Sequence, residues 1–152
     1  MKVIGQSIFY LIAFIPLRRY AGGYHANSEK KCRVISFFMV LTSFIVMRCL
    51  NDNGVCILII GAVVFGVFIL GLAPIENENK KLDAEERKQY KNATRKILVT
   101  EIVCLLILHY ANLQWVVEGI AISIITVGVV LILGILKNGT IAKKSEGGKY
   151  FM

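Results

Sequence analysis

The chain has 152 residues, 56% of them hydrophobic, and a formal net charge of +8 at pH 7. Its mean hydropathy is +0.64, and a soluble domain is only ~45–50% apolar, so the excess argues against a water-soluble globule and for lipid. The charge does not point to a nucleic acid either, because the basic residues flank apolar runs with no aromatic stacking platform among them.

The first apolar stretch, Val3–Leu17, is short, carries Gln6 and Ser7, and meets Pro16 near its end. A signal peptide would offer a small-residue cleavage site here, but Arg18 and Arg19 follow directly, so the stretch reads as a retained helix, spanning or interfacial. Four longer runs follow: Val34–Leu50, Val55–Pro74, Ile97–Val117 and Gly119–Leu136. Each approaches the ~20 residues of a bilayer-spanning helix. The expected fold is all-α, a polytopic integral membrane protein. It has four clear spanning helices and a short fifth apolar N-terminal helix, in one domain over residues 1–152. Gly61, Gly66 and Gly71 recur every five residues, which is not the GxxxG spacing of a close helix dimer, and are expected to permit local packing. Glu101 and His109 are ionisable groups in the third run, and such groups are functional candidates by default. Glu101 could reach the interface, and His109 could bond to a neighbouring helix.

The one substantial hydrophilic insertion is 75–96, a polar loop whose second half reads as a helix. Asp83 can cap it, Glu86 completes a capping-box pattern, and Arg87 lies four residues after Asp83. Such a helix is a solvated connector or a docking surface for an acidic or amphipathic partner. Three basic groups, Arg18–Arg33, Lys80–Lys96 and Lys137–Lys149, fall on one side if the runs cross alternately. The other side keeps only the short connections Asn51–Gly54 and around Glu118. The positive-inside rule makes the basic side cytoplasmic, in a multi-pass protein of a bacterial cell membrane.

Of four cysteines, Cys49, Cys56 and Cys104 lie in or beside apolar runs, and none of the four has a CxxC or zinc-like spacing, so no metal or cofactor is expected. Only Cys32 has polar and charged neighbours, in the segment 17–33. A cysteine nucleophile needs a base or a positive environment to form its thiolate. His25 lies seven residues before Cys32, and Lys30, Lys31 and Arg33 crowd the thiol. In one unbroken helix that spacing would hold the two side chains ~10.5 Å apart along the axis. The sequence offers a break. Asn27 and Ser28 are good N-caps for a helix bearing Cys32, and Gly22 and Gly23 let the preceding chain fold His25 back over its start. The dipole there favours a negative sulfur. The bland reading is an inert cytoplasmic His and Cys beside a glycine turn. Asn27 could orient the imidazole or serve only as a cap.

These residues resemble a known family, the accessory gene regulator protein B peptidases of Gram-positive bacteria. The match lies in Arg18, Gly22-Gly23, His25-Ala26 and Cys32, followed by serial apolar runs. A second block, Ala73-Pro74-Ile75-Glu76-Asn77-Glu78-Asn79-Lys80-Lys81-Leu82, resembles the family's polar loop. The resemblance implies a membrane cysteine endopeptidase of quorum sensing that processes an autoinducing-peptide precursor. The substrate would be a short propeptide with an amphipathic N-terminal part and an acidic C-terminal tail. It would be cleaved through an acyl-enzyme thioester and cyclised to a thiolactone or lactone. By the resemblance Cys32 is the nucleophile and His25 its base, with Arg18, Gly22, Gly23 and Asn27 supporting the site and Lys80 and Lys81 on the substrate-docking surface. Partners would be the propeptide, the lipid bilayer and, as a candidate assembly, a homodimer. Family members usually carry several tens of residues before the arginine, where this chain has seventeen. The contrasting reading is a non-enzymatic transporter or peptide-export subunit, with its chemistry around Glu101 and His109 and Cys32 dispensable.

Overall fold

A computed structural model describes residues 2–22, 29–49, 54–73 and 83–147, with side chains described for 4–22, 34, 36–49, 54–73 and 83–136. These residues form five helices and no strands: α1 Lys2–Ala21, α2 Glu29–Cys49, α3 Val55–Leu72, α4 Ala84–Tyr110 and α5 Gln114–Gly147. The all-α expectation holds.

The helix ends follow local chemistry. α1 stops at Ala21, where Gly22 takes a left-handed φ of 76° that costs a glycine little. α3 stops because Ala73 precedes Pro74 and is extended, at φ −79° and ψ 148°, the region a residue before proline is driven into. Asp83 sits at the N-cap position of α4 as expected, but its side chain makes no capping bond. The amide of Arg87 instead closes the first turn on the Asp83 carbonyl, at 2.8 Å. From there α4 runs unbroken to Tyr110, so the charged helix and the apolar run after it are one element.

Three expectations are corrected. Among the described residues two helices are long and apolar enough to cross a membrane, Val55–Leu72 and Gln114–Leu136, while Ser36–Cys49 is a shorter apolar helix. The run Ile97–Val117 is not one helix. Asn112 takes a left-handed φ of 59°, which asparagine tolerates better than most residues. Its amide bonds the His109 carbonyl (3.1 Å), and the Leu113 amide bonds that of Leu108 (3.0 Å), the paired closure of a Schellman turn. The Leu113 carbonyl then accepts from Val116 (3.0 Å) and Val117 (3.3 Å). The connection is therefore Ala111–Leu113 rather than a segment around Glu118, and Glu118 is buried inside α5. Nor do all three recurring glycines pack: Gly61 meets Ile125 and Gly66 meets Ile102 and Leu98, but Gly71 faces open space.

α5 is the central helix. Its Val117, Ala121, Ile124, Val127 and Leu131 are fully or almost fully buried. α1 runs parallel to it, with Gly5 against Trp115 and Gly119 against the backbone of Gln6 and Tyr10. α3 is also parallel, with Gly61 on Ile125 and Phe65 on Gly128. α2 and α4 run the other way. Ser43 of α2 meets Tyr10 and Thr126, and Tyr20 at the end of α1 packs edge-on against Tyr90 near the start of α4, with centroids 5.6 Å apart. One end of the bundle therefore gathers Arg18 and Arg19, the start of α2 and the basic first half of α4. The outer surface is strongly apolar: on α3, Ile57 is 74% exposed, Ile60 65% and Val67 64%. Leaving such a band in water would forfeit about 25 cal/mol per Å², so it requires lipid or another apolar surface.

Candidate functional site

The segment carrying the predicted nucleophile and base is a helix–break–helix element. α1 ends at Ala21 and α2 begins at Glu29, so Arg18–Arg33 is not one helix. The condition set by the seven-residue spacing is met at the level of the backbone. Cys32 is the fourth residue of α2, in its first turn. Its side chain lies outside those described; His25, Gly23, Asn27, Lys80 and Lys81 lie outside the described residues altogether.

On the described side of the break, Arg18 is half-buried and its Nη1 donates to the Gly22 carbonyl. This bond joins two of the expected supporting residues and ties the guanidinium to the turn where the chain leaves α1. Behind it Leu17 and Ala21 are fully buried. The exit point is thus fixed by packing from within and by a charge-assisted bond from above.

The remaining cysteines, Cys49, Cys56 and Cys104, are free and exposed on apolar helices. Among the described residues no group of three His, Cys, Asp or Glu side chains could hold a metal. His109 Nδ1 lies 3.3 Å from Gln114 Oε1 across the α4–α5 turn, the inter-helix bond that was the plainer reading of this residue.

Several polar features inside the bundle were not singled out from the sequence. Gln6 Nε2 donates to buried Glu118 Oε2, joining α1 to α5. Ser43 Oγ lies 3.2 Å from the Tyr10 hydroxyl and 3.1 Å from Thr126 Oγ1, so three helices share one hydroxyl cluster. Gln6 was visible only as an interruption of a short apolar run. Glu101 is 8% exposed, and neither carboxylate oxygen has a hydrogen-bond partner.

The family profile described as accessory gene regulator B matches residues 1–136, beyond the two blocks that carry the motif resemblance. Two AgrB-like proteins of Clostridium perfringens are 33% and 30% identical to the chain. Each match extends over 134 residues, 79% of this chain and 61% of the relative. An AgrB-like protein of Listeria monocytogenes is 27% identical over 99 residues, 64% of this chain and 47% of that protein. The chain thus spans about three fifths of the length of the clostridial relatives. No solved structure matches it.

Proposed function

This chain belongs to the accessory gene regulator B family, and on that premise we propose that it is a membrane cysteine endopeptidase that cleaves and cyclises a quorum-sensing propeptide. Family and apolar helices together mark a membrane protein. In this reading the chain is multi-pass, with the four apolar runs crossing the bilayer. The end that gathers Arg18, Arg19, Arg87, Lys88 and Lys91 is cytoplasmic by the positive-inside rule.

The observation that carries the reading is the interruption between Ala21 and Glu29, with Gly22 left-handed at its start. It frees the chain bearing His25 from the axis of the helix bearing Cys32, and it starts that helix where its dipole favours a thiolate. His25 takes the Cys32 proton, and the sulfur attacks the scissile carbonyl. The tetrahedral adduct collapses to a thioester as the acidic tail leaves as an amine, protonated by His25. A cysteine or serine within the bound peptide, deprotonated by His25, then attacks the thioester. A thiolactone or lactone closes and the Cys32 thiol is restored. Arg18 holds the turn, Gly23 and Asn27 shape the path to His25, and Lys80 and Lys81 draw the acidic tail.

Co-expression with a candidate propeptide tests this. Cys32→Ala and His25→Ala should abolish release of the tail, read by gel and mass spectrometry. A propeptide lacking its internal nucleophile should leave wild type carrying an acyl mass on Cys32. Normal processing by Cys32→Ala would end the proposal.

A further inference from the structure

Between α1, α4 and α5 lies a groove of about 450 Å³, open to the outer surface and lined by residues as far apart on α4 as Lys96 and Leu108. Those two are twelve residues apart, ~18 Å along a helix axis. One leaflet supplies ~15 Å of the bilayer's ~30 Å hydrocarbon core, so the groove has the length of a single acyl chain. Its chemistry is divided along that length. Lys96, Thr100 and Glu101 lie toward the basic end, while Ile12, Cys104 and Leu108 are among the apolar walls beyond.

Glu101 is the unusual member. A carboxylate 8% exposed with both oxygens unpartnered is costly in an apolar setting unless a donor reaches it from outside the chain. The Cα–Cβ bonds of a helix tilt toward its N-terminus, so the Glu101 side chain leans toward Lys96, at the level where lipid headgroups lie. Lys96 itself is exposed and five residues earlier, ~7.5 Å nearer the basic end. The groove therefore offers one cation, one carboxylate and an apolar channel in that order.

We infer that the α1–α4 groove binds a phospholipid with a primary-ammonium headgroup, its acyl chain along the channel, its phosphate at Lys96 and its ammonium on Glu101. A primary ammonium supplies up to three N–H donors to the carboxylate, and a choline supplies none. Charge-assisted bonds of this kind separate the two headgroups. The site goes beyond the peptidase reading and does not depend on it.

The test uses the full chain in detergent, loaded with phosphatidylethanolamine, phosphatidylcholine or phosphatidylglycerol of identical acyl chains and weighed by native mass spectrometry. Phosphatidylethanolamine should be retained about tenfold better than phosphatidylcholine, the scale of one charged hydrogen bond. In Glu101→Gln, checked for wild-type helicity and elution, that preference should fall to near parity while acyl-chain binding persists. Because the headgroup comparison is made on the unaltered protein, it decides the matter even if the variant misfolds. Equal retention of the two zwitterionic lipids by wild type would overturn the proposal, as would an undiminished preference in a folded Glu101→Gln. So would an oxidative Cys104–Cys104 cross-link between two copies that displaces lipid, which would put a second chain over the groove.

Discussion

Replacing Gly119 by alanine should loosen the seam between α1 and α5, and the structure sets the scale. A Cβ at Gly119 would lie 2.7 Å from the Gln6 carbonyl oxygen and 3.3 Å from the Tyr10 nitrogen. Both are backbone atoms, so no rotamer change relieves the contact. Restoring ordinary van der Waals separation requires α1 to retreat by about 0.7 Å. Tyr10 would move with it, and its 3.2 Å separation from Ser43 would stretch past the ~3.5 Å limit of a hydrogen bond. Overpacking of this kind costs about 1–3 kcal/mol, and an inter-helix bond in a membrane about 0.6 kcal/mol. Against these, alanine gains up to about 1 kcal/mol over glycine in helix propensity. The net loss is about 1–2 kcal/mol, a fall of roughly 2–8 °C in Tm for a chain of this size. Gly71→Ala is the control. A Cβ there meets nothing within 4 Å, so only the propensity gain applies and Tm should hold or rise. Thermal unfolding of both variants in one detergent, followed by circular dichroism, checks the pair. A Gly119→Ala protein as stable as wild type, or equal shifts in the two variants, would refute the account of the seam.

Three further expectations rest on separate contacts. Gly128→Ala would put a Cβ 2.4 Å from Phe65 Cδ1, a side chain rather than backbone. It should therefore destabilise, and Phe65→Leu should recover much of the loss, a coupling that a double-mutant cycle on Tm would measure. Tyr10→Phe removes one hydroxyl from the Tyr10–Ser43–Thr126 cluster while Ser43 keeps Thr126 at 3.1 Å. The expected loss is about 0.6 kcal/mol by denaturant titration, and a loss several times larger would show that the cluster acts as a unit. In single-cysteine versions in intact cells, a membrane-impermeant maleimide should label Cys49 and Cys56, at the end opposite Arg18, and spare Cys104. Cys32 should react only after permeabilisation. Labelling of Cys32 from outside would invert the proposed topology.

How much of this was legible in the sequence depends on the range of the signal. Helix class, the start of α4 after Asp83 and the break between Gly22 and Glu29 are local, written in caps, glycines and hydrophobic runs, and they were readable. The α4–α5 turn was misplaced for a physical reason. Glu118 was the conspicuous charge between two apolar runs, and a charge in lipid is expensive enough to suggest a connection. The structure offsets that cost with a donor from Gln6, 112 residues away, while the true turn at Ala111–Leu113 depends on the left-handed tolerance of one asparagine. Pairings at that distance leave no periodic trace. The same holds for Gly119 and Gly128, whose value lies in what α1 and α3 bring against them.

The packing of the bundle also bears on how the proposed nucleophile and base would meet. α1 is clamped on α5 at Gly119 and closed by buried Leu17 and Ala21, so the point where the chain departs toward His25 is anchored. α2 is held differently. Of its described residues only Ser43 and Met47 are buried, while Val34, Phe37, Phe38, Leu41, Ile45 and Val46 face outward. Ser43 carries its hydrogen bonds to the other helices, and a groove of about 550 Å³ separates its Phe38 and Val46 from Leu58 and Ile122. An element with so few buried contacts moves at lower free-energy cost than one packed along its length. The helix bearing Cys32 is thus the more mobile partner, and adjustment between thiol and imidazole would come from α2 swinging about Ser43 while Arg18 and Gly22 hold still. Substitutions that fill the groove at Leu58 should then alter peptide turnover without touching the catalytic segment.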